Sequence, residues 1–128
     1  MRFLLDTHTF IWWDTNPTKL SGRVLALCHD PANTMVVSVV SAWEMQIKIQ
    51  IGKLQLATPL ADMIDGQQQA NGIEILPVAL PHVLTLPSLP LHHKDPFDRL
   101  IAAQALSEGM PLASADPAFA GYPITVVW

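Results

Sequence analysis

The sequence predicts an α/β fold: a central, mostly parallel sheet of about five strands with helices on both faces. Three observations lead there. Short β-rich apolar runs alternate with helical stretches along the whole chain, the order expected of strands joined by helical crossovers. The eleven prolines punctuate this pattern and do not collect into a linker, and there is no repeat, charge block or low-complexity segment. Finally, 128 residues, 50% hydrophobic and 14% charged, suit a single domain over residues 1–128 with a real core and argue against disorder.

Taken in order, Phe3-Leu4-Leu5 is the first strand. A helical stretch carrying Phe10, Ile11, Trp12 and Trp13 follows, then another near Ser21–His29 after the break at Asn16-Pro17. Met35–Val39 is strongly β-prone and reads as strand two. In Ala42–Ile51, Trp43, Ile47 and Ile51 recur at four-residue spacing before Gly52, the spacing and the stop of a helix. Leu60–Ala70 is the next helix, Ile73–Val78 strand three, and His82–Leu86 a short helix between prolines. Pro96–Glu108 has the best helix signals, with proline in its first turn and Gly109 just past its end. Leu112–Ser114 and Ile124–Trp128 complete the sheet as strands four and five.

In such sheets ligands bind beyond the carboxyl ends of the strands, so functional side chains belong just after strands or in the first turn of the next helix. Asp6 directly follows strand one, Glu44 opens the helix after strand two, Asp98 lies in the first turn of the best helix, and Asp116 comes two residues after strand four. Each has an ordinary structural explanation. Ser41-Ala42-Trp43-Glu44 matches a capping box, and Glu44 is spaced to pair with Lys48. Asp95-Pro96-Phe97-Asp98 reads as a cap followed by an acid that favours the helix dipole, and Asp116-Pro117 as a turn opener. Asp6 matches no capping box, and an unpaired carboxylate after an apolar strand is costly to bury. One acid at each of four junctions on one sheet edge is better explained by chemistry. Carboxylate oxygens hold hard cations such as Mg²⁺ or Mn²⁺, which activate water and steady charge developing on a phosphodiester. Bound cations also answer the objection that a net charge of −4 disfavours nucleic acid.

The ordered segments Leu4-Leu5-Asp6-Thr7-His8, Ser38–Met45, His93–Ala105 with its Asp95-Pro96-Phe97-Asp98-Arg99-Leu100 core, and Leu112-Ala113-Ser114-Ala115-Asp116 resemble the motifs of PIN domains, particularly VapC-type toxins. Ser114 stands where threonine is commoner in that family. The resemblance spans nearly the whole chain. It implies a PIN-like fold and a metal-dependent endoribonuclease, the toxin of a toxin–antitoxin pair, whose Mg²⁺ or Mn²⁺ is held by Asp6, Glu44, Asp98 and Asp116. It further implies an RNA substrate, a cognate antitoxin protein and a homodimer.

Thr7 and Ser114 read equally as hydrogen-bond partners of those carboxylates or their waters and as ordinary strand-end hydroxyls, and Asp95 is assigned to the helix cap beside them. Lys48, Lys53 and Arg99 are candidates for RNA phosphates. His92-His93 suggest zinc only superficially: neighbouring side chains point apart, and no third ligand is suitably spaced, so structural or surface roles are expected. Trp12, Trp13 and Trp43 are read as core or interface residues, with base stacking as their functional alternative. A phosphatase with an aspartate after strand one would need a second aspartate two residues on, where His8 stands. A catalytically silent PIN-like binding module is the remaining alternative. The single cysteine, the charge of Asp6 where a signal peptide would be apolar and the absence of a long apolar run are those expected of a cytoplasmic protein outside the membrane.

Overall fold

The computed structural model describes the whole chain, Met1–Trp128. Its strands are β1 (Arg2–Leu5), β2 (Thr34–Ser38), β3 (Glu74–Leu76), β4 (Leu112–Ala113) and β5 (Val126–Val127). They form one sheet in the order β3-β2-β1-β4-β5, and every neighbouring pair is parallel. The helices are α1 (Thr7–Thr15), α2 (Gly22–His29), α3 (Val39–Gln50), α4 (Leu60–Asn71), α5 (Leu80–Thr85) and α6 (Pro96–Glu108), with 3₁₀ turns at Pro17–Lys19, Leu86–Ser88 and Pro117–Gly121.

Alternation along the strands divides the core in two. Phe3, Leu5, Met35, Val37, Ala113 and Val127 face one side, where Phe10, Trp13, Val24, Met45 and Met63 of the helices close over them. Leu4, Val36 and Leu112 face the other, against Ile101, Ala102 and Ala105 of α6 with Leu89, Phe119 and Tyr122. A sheet buried on both faces explains why its strands read as unbroken apolar runs.

The element boundaries differ from the sequence reading in instructive ways. Strand β2 ends at Ser38 and α3 begins at Val39, three residues before the expected start, because the Ser38 hydroxyl accepts from Val40 N at 3.0 Å and caps the helix. Ser41 therefore lies inside α3, and the expected capping box with Glu44 does not form. Strands β3 and β5 are shorter than expected; β5 pairs with a two-residue β4, and the register leaves no partner for more. Helix α6 has the expected bounds. Asp95 caps it, Pro96 occupies its first position, and Gly109 ends it at φ +65°, a left-handed conformation that glycine adopts without strain.

Of the three tryptophans weighed in the sequence, Trp13 is buried and donates to Gln67 Oε1 at 3.0 Å, so it is a core residue. Trp12 is half-buried, and Trp43 is 58% exposed with its ring edge-on to Phe97. No helix is long and apolar enough to cross a membrane.

Candidate functional site

Strand order reverses at β1: the chain builds β2 and β3 on one side of it, then crosses to lay β4 and β5 on the other. The carboxyl ends of β1 and β4 therefore open a crevice at the switch point, where such sheets bind ligands. Asp6 emerges there from β1. It is only 6% exposed, yet neither oxygen is unpaired: Oδ1 accepts from Thr9 N at 2.8 Å, capping α1, and Oδ2 accepts from Ser114 Oγ at 2.5 Å. No capping box forms at Asp6, as its sequence indicates, but the carboxylate is not left unpaired: the helix N-terminus and a hydroxyl offset its burial. The same Ser114 oxygen accepts from Asp116 N at 3.0 Å, so one hydroxyl ties together the acids that follow β1 and β4.

Glu44 lies in the second turn of α3, not the first, because the helix starts early. It is 7% exposed; Thr7 Oγ1 donates to its Oε1 at 2.7 Å, and Lys48 Nζ meets its Oε2 at 3.0 Å. Thr7 Oγ1 also sits 2.9 Å from Ser41 Oγ, which has a proton to give it. Both hydroxyls singled out in the sequence, Thr7 and Ser114, thus hold carboxylates in place.

Asp95 accepts from Phe97 N at 2.9 Å and Asp98 N at 3.2 Å, the cap expected of it. Asp98, one turn in, has its Oδ2 2.8 Å from His93 Nε2. Burial raises its carboxyl pKa to about 6; the charges of Asp95 and Glu44 push the same way, and the His93 hydrogen bond opposes them. Asp116 is exposed and caps the following 3₁₀ turn through Ala118 N at 2.9 Å.

These side chains line one cavity of about 210 Å³, walled by Asp6, Glu44, Asp95, Asp98 and Asp116 with Lys48, His93, Thr7 and His8, and with no hydrophobic residue. The four acids chosen from sequence lie on its walls. Within it, ligand atoms of His93, Asp98 and Asp116 all fall within 4.8 Å of one another. Five carboxylates against one lysine give the cavity a formal charge of −4 with histidine neutral, equal to that of the whole chain, so the remaining surface is balanced. The acidity that disfavours nucleic acid on composition is local.

His93 is the residue that sequence reasoning missed. Adjacent side chains do point apart, but that separation sends one of the pair to the cavity. His92 turns away: its Nε2 lies 3.1 Å from Ala118 O, and its ring fills the space where a Cβ on Gly121 would stand, 2.7 Å from the ring. Among the cations, only Lys48 reaches the cavity. Lys53 is exposed beyond the end of α3. Arg99 points its guanidinium at the segment before α6, donating to Pro90 O at 2.7 Å, with His93 O and Leu86 O at 3.5 Å.

Comparison with known proteins follows the same outline. The PIN domain family matches residues 3–124. Ribonuclease VapC22 of Mycobacterium tuberculosis (strain ATCC 25618 / H37Rv) is 30% identical over 114 residues, covering 88% of this chain and 85% of that protein. The fold is similar to the crystal structure of VapBC2 from Rickettsia felis bound to a DNA fragment from their promoter, with a TM-score of 0.74 at 17% identity, covering 100% of this chain and 99% of the other. DNA-bound VapBC from Salmonella typhimurium gives 0.70 at 18% identity over 99% and 97% of the two chains.

Proposed function

The chain belongs to the PIN-domain family, and from that premise we propose that it is a divalent-metal-dependent endoribonuclease, the toxin of a toxin–antitoxin pair. The observation that carries the proposal is the cavity at the β1/β4 switch point, lined by five carboxylates and no hydrophobic residue. Its donors are hard oxygens, the set that suits Mg²⁺ or Mn²⁺. The raised pKa of Asp98 fits the same reading, since a site that strains to hold negative charge is one that a cation relieves.

Asp6, Glu44, Asp98 and Asp116 would hold the ion. When bound, it supplies Lewis-acid charge that lowers the pKa of a water and offsets charge developing on the phosphodiester. The chain's own residues do the rest. Ser114 fixes the rotamer of Asp6, Thr7 that of Glu44, and His93 that of Asp98, so the carboxylates are held before substrate arrives. Lys48, at the wall beside Glu44, is the cation placed to meet a phosphate oxygen of the RNA. Hydrolysis joins a water oxygen to phosphorus and breaks one P–O ester bond. The carboxylates orient that water, and the cavity's polar walls keep it hydrogen-bonded.

The relatives extend the proposal to partners. VapBC assemblies are the structural neighbours, and we assign to this chain a cognate antitoxin protein that covers the site, a homodimeric state, a single PIN domain over residues 1–128, and action in the cytoplasm.

The test is cleavage of a mixed pool of structured RNAs by the purified protein, in Mg²⁺ or Mn²⁺ and in EDTA, beside an Asp6→Asn/Asp98→Asn double variant of verified fold. Cleavage that needs the ion and disappears in the variant is expected. Metal-independent cleavage, or full activity in the variant, would overturn the assignment. A folded protein that neither binds Mn²⁺ nor cuts any RNA would instead be a silent binding module.

A further inference from the structure

A second cavity, about 260 Å³, adjoins the acidic one and has a different character. Asp6, His8 and Asp116 line both, so they form the ridge between them. Beyond the ridge the wall is Trp12 with Thr9, Ala115 and Pro117, and most of the surface it offers is apolar. Unlike Trp13, the neighbouring Trp12 is only half-buried. Its indole is held by tilted contacts with His8 at 5.9 Å and Trp128 at 6.1 Å, and Lys19 Nζ stands 5.8 Å from the ring centroid.

We propose that this cavity is a nucleobase subsite, in which the base next to the scissile phosphate stacks against Trp12. The inference rests on the ribonuclease reading and deepens it. A phosphodiester delivered to the acids must carry a sugar and base away from them on each side, and this cavity is the adjoining space. Its chemistry fits a base: the Trp12 indole and small apolar side chains for the ring, and the exposed His8 on the rim for a hydrogen bond to the base edge. Its charge fits a strand. The acidic cavity loaded with cations takes one phosphate, and Lys19, beside the Trp12 ring, takes a neighbouring one. An acidic peptide would meet the same carboxylate rim without a phosphate to offer the ion.

The experiment measures binding, apart from turnover, in an Asp98→Asn background. A fluorescein-labelled RNA octamer that wild type cleaves is compared by anisotropy with versions carrying one abasic ribose at each position in turn. One abasic position beside the cleaved bond is expected to weaken binding by about 5- to 150-fold, the range for a stacked base. Trp12→Ala should weaken the parent octamer by a similar factor and remove the sensitivity at that position, while Trp12→Phe keeps both. If Trp12→Ala does not fold, the exposed His8→Ala is the second variant, with a smaller loss confined to the same base. Unchanged affinity in these variants, or a loss spread equally over all positions, would overturn the proposal. So would a variant that binds RNA normally but no longer retains its antitoxin, which would make the cavity a protein contact. Failure of wild type to cut or bind any RNA would bring down the ribonuclease reading itself, a result distinguishable from loss of the subsite alone.

Discussion

Asp98 is where the chemistry and the stability of the fold oppose each other. Its carboxyl, pushed up to about 6 by burial and by the charges of Asp95 and Glu44, is easier to ionise in the unfolded chain than in the folded one. Between pH about 4 and 6 the folded state therefore holds more of this proton than the unfolded state does. The sign follows: without metal, the contribution of Asp98 to stability falls as pH rises through that window, and the full penalty persists above it. This is the reverse of a salt-bridged aspartate. A shift of that size corresponds to at most about 3 kcal/mol, and the group's partial exposure reduces this to roughly 1–2 kcal/mol. Asp98→Asn in EDTA should thus match wild type near pH 4 and melt several degrees higher at pH 7, at roughly 3–5 °C per kcal/mol. Thermal unfolding at both pH values checks it; an equal difference at pH 4 and pH 7 would assign the change to packing and not to charge.

At the scale of elements, the sequence was most readable where a whole helix carries its own signals. Helix α6 has cap, proline, apolar face and terminal glycine, and its bounds Pro96–Glu108 are those expected from residue types. The start of α3 was hidden because Ser38 and Ser41 are both competent caps and Val39 favours strand. The choice is made by tertiary contact: Ser38 is fully buried, and its hydroxyl donates to Gln104 Oε1 of α6 at 2.5 Å. The full pairing of Asp6 was likewise invisible: its cap to Thr9 N is local, but its other oxygen is met by Ser114, 108 positions away. His93 went unseen because its neighbourhood to Asp116 exists only once β4 lies beside β1. Asp95 illustrates an assignment that can be separated by mutation, since it lines the cavity and caps α6 at once. Asp95→Asn keeps a capping oxygen and removes only the charge; Asp95→Ala removes both. If Asp95 is a cap and not a metal ligand, the Asp95→Asn variant retains RNA cleavage and Mn²⁺ affinity, while Asp95→Ala loses about 1 kcal/mol of stability. A large fall in Mn²⁺ affinity in Asp95→Asn, measured by calorimetry, would make it a ligand.

The whole molecule concentrates its imbalance in one place. The sheet order brings Asp6 and Asp116 to the switch point, α3 and α6 deliver Glu44 and Asp98 from either side, and the formal charge gathered there equals that of the chain. Helix N-termini beside Asp6, Asp95 and Asp98 moderate that charge without cancelling it. A cation that binds only the folded state must then stabilise the whole fold, by about 2.7 kcal/mol at a hundred times its dissociation constant. Wild type should therefore melt roughly 8–14 °C higher in Mn²⁺ at that concentration than in EDTA. Asp98→Asn should invert the ranking: more stable than wild type without the ion, because a buried charge is gone, and less stable with it, because a ligand is gone. Two melting curves for each protein decide the matter. Crossing curves are expected only if the charge that strains the fold is the charge that holds the metal; if the variant keeps the full Mn²⁺ shift, Asp98 is not a ligand and its burial serves structure alone.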